Sequence, residues 1–538
     1  MKPFRIVLGR RTLEVDPGTL GLAILLLLFL EYGLMFILRT SFVIEGTRWF
    51  SLFDDGMISM RYARNLAEGA GLVWNPGGEA VEGYTNFLWV LVMAALHFLP
   101  LPEQTMALSV QLVSLLLLAA NVVLVYRLAS EVTAGSRTVS LSAAALTAFY
   151  YSLNNWSLQG MEVGVLALLV TGSVGRLLAM RPGEKVPAGV VVASILIVLT
   201  RPDTLMLVAV LWGIHALGAR SAGGRVDWRL ALAVTAAILL HTIFRLWYYG
   251  DALPNTYYLK LHGVPLGLRL ERGFSSLADF IGDAGLILFL LPLSLLLTAA
   301  PRRRAVIALS APLIVQCAYS IAVGGDAWEG YGGANRYIAP VMPLMFVLTA
   351  WSITALLNSI AVNDRIRAGR TEWRLKPVLN ILLVVYAFWS FNRVHWTSLL
   401  LVIPPLEVHN NEEMVHTALA IRETTTPEAT VAVVWAGAIP YVSSRTAIDL
   451  LGKNDRRIAH LPVKHADQFV PGHDKWDYDI SLRSEPPDVI AQVWREWEAI
   501  TPFLEQEYRR VSFPHTAGIW YRNGSPRVLW GRVRDLER

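Results

Sequence analysis

Uninterrupted apolar runs decide more about this chain than any other feature. Leu20 to Leu30, Leu112 to Val125 and Val378 to Trp389 carry no charged side chain. They belong to stretches long enough to cross hydrocarbon, where one helical span takes about 20 apolar residues. Of 538 residues, 54% are hydrophobic and 17% charged, against roughly 45–50% and 25% in an ordinary soluble domain. Disorder and a conventional soluble enzyme are excluded, and the expected fold class is a polytopic α-helical membrane protein. The net charge of +5 matters less than where the basic residues lie, because they set orientation. It calls for no nucleic acid. Cys317 is the single cysteine, so neither a disulfide framework nor a cysteine metal site is available.

The apolar pattern predicts eleven spans, at about 19–39, 106–128, 138–152, 160–178, 186–200, 203–218, 230–248, 284–299, 305–322, 337–358 and 376–396. Stretches 1–18, 127–137, 176–185, 219–229, 301–304 and 359–376 hold 20 Lys/Arg in 72 residues, whereas the alternate stretches hold 8 in 124. The positive-inside rule makes the first set cytoplasmic, with Arg302, Arg303 and Arg304 its plainest members. Walking inward from both sides leaves residues 40 and 100–105 on the same external face. Tyr84 to Pro100 is therefore expected to lie along the outer interface as a juxtamembrane helix and not to cross. The first apolar segment is too long for a cleaved signal peptide and reads as an anchor. Glu31, alone within it, is expected to be buried against a neighbouring helix. These assignments imply a multi-pass membrane protein with a cytoplasmic N-terminus.

Residues 402–538 change character: apolar runs shorten, and six of the eleven histidines fall here. A small external α/β domain is expected after a transmembrane module spanning 1–401. Thr430 to Trp435 and Gly518 to Arg522 read as strands, and Val493 to Tyr508 as an amphipathic helix.

The loop between the first two spans, residues 40–105, is the densest polar segment. From Asp54 to Leu66 its pattern is helical, placing Asp54, Ile58, Arg61 and Asn65 on one face. Adjacent carboxylates at Asp54 and Asp55 offer a general base beside a binding partner, and such a base contributes about 10²–10⁴ in rate. The plain alternative is a capping pair, since Asp is favoured at helix starts.

The run Asp54-Asp55 through Arg61-Tyr62 and Asn65, then Trp74-Asn75-Pro76-Gly77, then Glu82-Gly83-Tyr84-Thr85-Asn86-Phe87 with Trp89, resembles the first external loop of the GT-C superfamily, membrane glycosyltransferases that use polyprenyl-phosphate sugars. It is most similar to the branch containing the mycobacterial terminal arabinofuranosyltransferases. Gly160-Met161-Glu162, Arg201-Pro202-Asp203, Tyr248 through Lys260, Gly324-Gly325-Asp326 with Arg336, and Ile439 through His460 agree with it. The resemblance implies an inverting transfer, with a donor of polyprenyl-phosphate sugar, best matched by arabinofuranose, and a glycan or glycolipid acceptor of the cell envelope. Catalysis falls to Asp54 or Asp55, with Asp54 preferred. Donor phosphate and sugar binding falls to Arg61, Glu82, Tyr84, Asn86, Glu162, Arg201, Asp203, Tyr249, Asn255, Lys260, Asp326 and Arg336. Asp449, Asn454, Asp455, His460 and His473 are placed on the acceptor side. No cofactor is required by such chemistry, and a divalent cation is left open.

Each residue also has a structural reading. Arg61 and Arg336 can snorkel or flank spans, Arg201 and Asp203 can bond to each other, and Asp449 to Asp455 can be a capped turn. The spacings of His460, His465 and His473, with Asp467, match no standard metal motif. Within the enzyme class the alternative is transfer of mannose or aminoarabinose to protein or lipid. Outside it stand a lipid-linked sugar flippase and a noncatalytic scaffold. Transporters usually carry ionisable groups near the bilayer midplane, whereas here the polar residues collect at the outer ends.

Overall fold

The computed structural model describes the chain apart from residues 1–3, 9–10, 182–183, 222, 300–301, 330–335, 360–371, 465–468 and 538. A short antiparallel hairpin, β1 (Phe4–Leu8) and β2 (Arg11–Val15), precedes the first long helix, α1 (Pro17–Arg39). Asp16 caps α1 by accepting from Gly18 N and Thr19 N at 2.9 and 3.2 Å, with Pro17 in the first turn, a start that satisfies otherwise orphaned donors. Ile24, Leu27 and Leu28 are exposed on this helix, the apolar outer surface that contact with hydrocarbon requires. Glu31 is exposed on α1, which corrects its expected burial.

Among the described residues seven helices are long and apolar enough to cross a membrane: Pro17–Arg39, Glu103–Val132, Pro202–Ser221, Arg229–Tyr248, Arg303–Val323, Ala339–Ser359 and Lys376–Leu399. Leu266–Ala284 and Leu286–Thr298 meet at 96° and make an eighth if the bent pair is one span. The count differs from the expected eleven because several apolar runs end early. Arg137–Ala148, Val163–Leu178 and Ala188–Thr200 have 12, 16 and 13 residues, below the usual span length. The first two of these pack closely on the helix that begins at Glu103.

The first loop starts with the hairpin of β3 (Ser41–Ile44) and β4 (Thr47–Phe50), followed by α2 (Asp54–Ala67) and α3 (Phe87–His97). At about 1.5 Å per residue, the 11 residues of α3 are too short to span. Trp89, Val90 and Met93 are buried, and α3 packs along α2. The next helix, α4 (Glu103–Val132), returns the chain across the bundle.

The C-terminal part opens with helix Val408–Thr424. Its strands are β5 (Thr430–Val433), β6 (Thr446–Asp449), β7 (Val489–Ile490), β8 (Tyr508–Val511) and β9 (Ile519–Arg522). They form a five-stranded mixed sheet in the order β6-β5-β7-β9-β8. The parallel pair β5 and β6 aligns Val433 with Asp449, so the chain leaving both strands emerges at the same edge. That edge meets the first loop. Of the basic stretch at 359–376, residues 360–371 lie outside the described residues.

Candidate functional site

The acidic pair opens α2, where negative charge near the helix N-terminus is favourable. Phe53 N donates to Gln159 O at 3.0 Å, fixing the entry of the helix. The two carboxylates then diverge. Asp54 is 3% exposed, and its Oδ1 accepts from Gly437 N at 2.9 Å and Ala438 N at 3.3 Å, both on the segment that follows β5. Its Oδ2 is buried without a hydrogen-bond partner among the described residues. Burial pushes its carboxyl up to about 7.

Asp55 lines a small, partly open cavity. Its Oδ1 accepts from Lys453 Nζ at 2.6 Å and its Oδ2 from Arg336 Nη1 at 2.8 Å. Burial raises this carboxyl, but Lys453, Arg336 and then Lys260 outweigh that effect and hold it well below the usual carboxylate range. Of the two acids, Asp55 is the one presented to the cavity. Asp54, preferred from sequence, is directed into the contact with the C-terminal part.

The cavity walls are a chain of ion pairs. Asn86 Nδ2 donates to Glu162 Oε2 at 3.0 Å and its Oδ1 accepts from Ser59. Glu162 Oε1 accepts from Arg201 Nη1 at 2.8 Å, and Arg201 also grips Asp203 through two bonds of 3.0 and 2.6 Å. Arg336 reaches Asp326 Oδ2 at 3.0 Å besides Asp55. Tyr84 lines the cavity, and its hydroxyl meets that of Tyr249 at 2.9 Å. Lys260, at the end of the short helix Asn255–Lys260, differs from the other cations. Among the described residues its ammonium has no ion pair or hydrogen bond, and burial lowers it to about 8.

An apolar groove adjoins this cavity. Leu253, Pro254, Tyr257, Leu261, Tyr319 and Val323 line it, and Thr85, Arg201, Thr256 and Lys260 are common to both spaces. Lys260 thus stands at the junction of a charged chamber and an apolar channel.

Several expected site residues are placed elsewhere. Arg61 is 2% exposed, and all three guanidinium nitrogens are engaged: with the carbonyls of Trp74, Pro440 and Arg445 and with Asn75 Oδ1. It clamps the first loop to the C-terminal part and does not line the cavity. Glu82 is 3% exposed and bound through both oxygens to Arg245 at 2.7 and 2.9 Å. Asn255 Nδ2 donates to the carbonyls of Gly452 and Lys453 at 2.8 and 3.0 Å, which makes it a brace. Sequence position could not show this, because Glu82, Asn255 and the Pro440 contact of Arg61 join residues about 160 to 380 apart.

The acceptor-side set divides similarly. Asp449 Oδ1 accepts from Leu451 N and Gly452 N, and Oδ2 from Asn454 N and Nδ2. Asn454 Oδ1 in turn accepts from Tyr62 at 2.9 Å. Asp455 caps the helix Arg456–Ala459 through Arg457 N and Ile458 N. His460 stacks on Tyr258 at 4.2 Å. His473 is buried beside Trp328, Trp435 and Trp494; its Nε2 has no hydrogen-bond partner among the described residues, and burial lowers its imidazole to about 3. Lys453 is a site residue that sequence reasoning missed. Its signal is a lone cation in the Gly452-to-Asn454 turn directly after a strand. Among the described residues no group of three or more His, Cys, Asp or Glu side chains is arranged to hold a metal ion; His465 and Asp467 lie outside them.

Residues 406–528 match a family described as a domain of unknown function, DUF8728. The terminal β-(1→2)-arabinofuranosyltransferase of Mycobacterium tuberculosis is 28% identical over 276 residues, which cover 48% of this chain and 42% of that protein. The chain thus matches about two-fifths of its curated relative. Among solved structures, ArnT from Cupriavidus metallidurans bound to undecaprenyl phosphate aligns over 94% of this chain and 98% of its own, with a TM-score of 0.50 and 12% identity. The Archaeoglobus fulgidus oligosaccharyltransferase aligns over 80% and 64%, with a TM-score of 0.52 and 12% identity. The chain shares the fold of these two solved proteins. Within this fold the site combines an ionised carboxylate, an ammonium without a partner among the described residues, and an apolar channel on one wall of a cavity. Such a set can bind a lipid-linked anion and remove a proton from a neutral nucleophile.

Proposed function

We propose that this GT-C protein is an inverting glycosyltransferase that moves a sugar from a polyprenyl-phosphate donor to a hydroxyl of a cell-envelope glycan. The reaction takes place on the external face of a bacterial inner membrane, with the N-terminus cytoplasmic. The observation that carries the proposal is the position of Lys260, a cation unpaired among the described residues where a charged chamber meets an apolar groove. A lipid-linked phosphate is the chemistry that needs both environments at one point. The groove takes the start of the polyprenyl chain, and Lys260 takes the phosphate. Arg201 and Arg336 supply field without giving up their carboxylates.

Asp55 accepts the proton of the acceptor hydroxyl as the new bond to the anomeric carbon forms and the bond to the phosphate oxygen breaks. The electron pair leaves with the phosphate. The oxocarbenium character of the transition state is favoured by a nearby carboxylate, and donors held in place around the departing anion stabilise its charge. Arabinofuranose is the favoured sugar, supported by the 28% identical mycobacterial relative.

Purified wild type and Asp55→Asn, assayed with radiolabelled polyprenyl-phosphate arabinose, mannose and aminoarabinose, test the proposal. Transfer by wild type from one donor, lost by about 10²-fold or more in the variant, is expected. Full transfer by Asp55→Asn would refute the assignment of the base.

A further inference from the structure

The cation that touches Asp55 most closely does not come from the membrane bundle. Lys453 sits in the turn after β6, in the C-terminal part, and is 7% exposed. Asp449 builds this turn by gathering four donors at 2.8 to 3.1 Å. Gly452, at φ +78°, allows the reversal, and a Cβ there would meet Ile458 at 2.7 Å.

Other loops then lock the turn in place. Asn255 binds its carbonyls, and Tyr62 binds Asn454. Gly83 packs so tightly against it that a Cβ would lie 2.0 Å from Asn454 Oδ1. A lysine side chain is long and loses considerable rotamer freedom when fixed. This one is fixed at its base by a turn with partners on three separate segments.

Asp55 is therefore held between two cations of different origin: Arg336 at the start of a membrane helix region and Lys453 from the C-terminal part. Arg336 is shared with Asp326, whereas Lys453 has Asp55 as its one ion-pair partner among the described residues. The other titratable and charged groups facing Asp55 are Lys260, Asp54 and His473, and Glu162 and Arg201 line the same cavity. Each Asp55 oxygen has one lone-pair direction occupied by a cation, and each retains another for an incoming hydroxyl.

We infer that Lys453 is a positioning residue of the transfer reaction: it orients Asp55 and pairs with its charge, so that the base is competent only while the C-terminal part is docked. The inference rests on the transferase reading. In the reaction the acceptor O–H proton passes to Asp55, the acceptor oxygen bonds to the anomeric carbon, and the phosphate leaves with the electron pair. The protonated carboxyl, left beside two cations, then releases its proton to water and resets.

The test compares Lys453→Met, Lys453→Gln and Lys453→Arg in the full-length protein, measuring kcat and KM for donor and acceptor between about pH 3 and pH 8. Removing the charge should raise the acid limb of the rate profile by about 1–3 pH units. It should lower kcat progressively toward the acid end while leaving donor KM within about twofold. Lys453→Arg should restore the wild-type limb. A purely structural lysine would instead give a loss uniform in pH, and that result in a variant with an unchanged thermal transition overturns the inference. Should both neutral variants fail to fold, an altered acid limb in Lys453→Arg also overturns it. Asp55→Asn, run beside them, keeps the two readings apart: full activity there defeats the transferase base itself, whereas loss there with a pH-invariant Lys453→Met defeats Lys453 alone.

Discussion

Replacing Lys260 by Met should weaken donor binding more than any other single change in the cavity wall. Arg201 is committed to Glu162 and Asp203, and Arg336 to Asp55 and Asp326, so neither can move to the phosphate without stranding a carboxylate. One charge-assisted hydrogen bond is worth about 1.5–3 kcal/mol, which is roughly 10- to 150-fold in affinity. The ammonium of free Lys260 titrates near 8, lowered by burial, and a bound phosphate raises it. Donor affinity is therefore fully present below pH 8 and declines as pH rises past it, by up to about tenfold per unit. Donor KM as a function of pH, measured with a synthetic polyprenyl-phosphate sugar, reads both effects. Lys260→Met should raise KM and abolish the break, and Lys260→Arg should keep low KM without the break. Unchanged KM in Lys260→Met, or a break that persists in Lys260→Arg, refutes the argument.

Asp54→Asn keeps an acceptor for Gly437 N and Ala438 N, so it should retain transfer within about tenfold while Asp55→Asn loses about 10²-fold or more; parallel initial rates decide which acid is the base. Arg61→Met removes one buried donor each from the carbonyls of Trp74, Pro440 and Arg445 and should destabilise the protein by on the order of 3 kcal/mol, seen as a lower unfolding temperature in detergent with donor KM unchanged. Gly437→Ala would drive a Cβ to 2.1 Å from Asp54 O; the C-terminal part should loosen, measured as faster proteolysis and lost transfer.

Local pattern carries part of the fold. The helix from Asp54 and the strands at Thr430 and Ile519 are visible in the sequence because their periodicity is set by neighbours in the chain. Charge alone keeps Tyr84 to Pro100 from being read as a span, and the 11-residue α3 lies there. Helix lengths are less legible: Arg137–Ala148 is apolar and mostly buried, and composition does not separate a short packed helix from a crossing one. At the site, residue type points to acids and cations in the right loops, but the partner of each depends on the C-terminal part folding back. Arg61 matches a phosphate ligand by type and becomes a clamp because Pro440 arrives beside it. Lys453 becomes the closest cation to Asp55 for the same reason.

The unshared ammonium at the mouth of the groove bears on turnover as well as capture. A sugar phosphodiester carries one negative charge, whereas the spent carrier, a phosphate monoester, carries about two near neutral pH. On the proposed transfer, Lys260 is therefore expected to hold the spent carrier more firmly than the donor. Accumulated carrier is then expected to compete with the donor for Lys260.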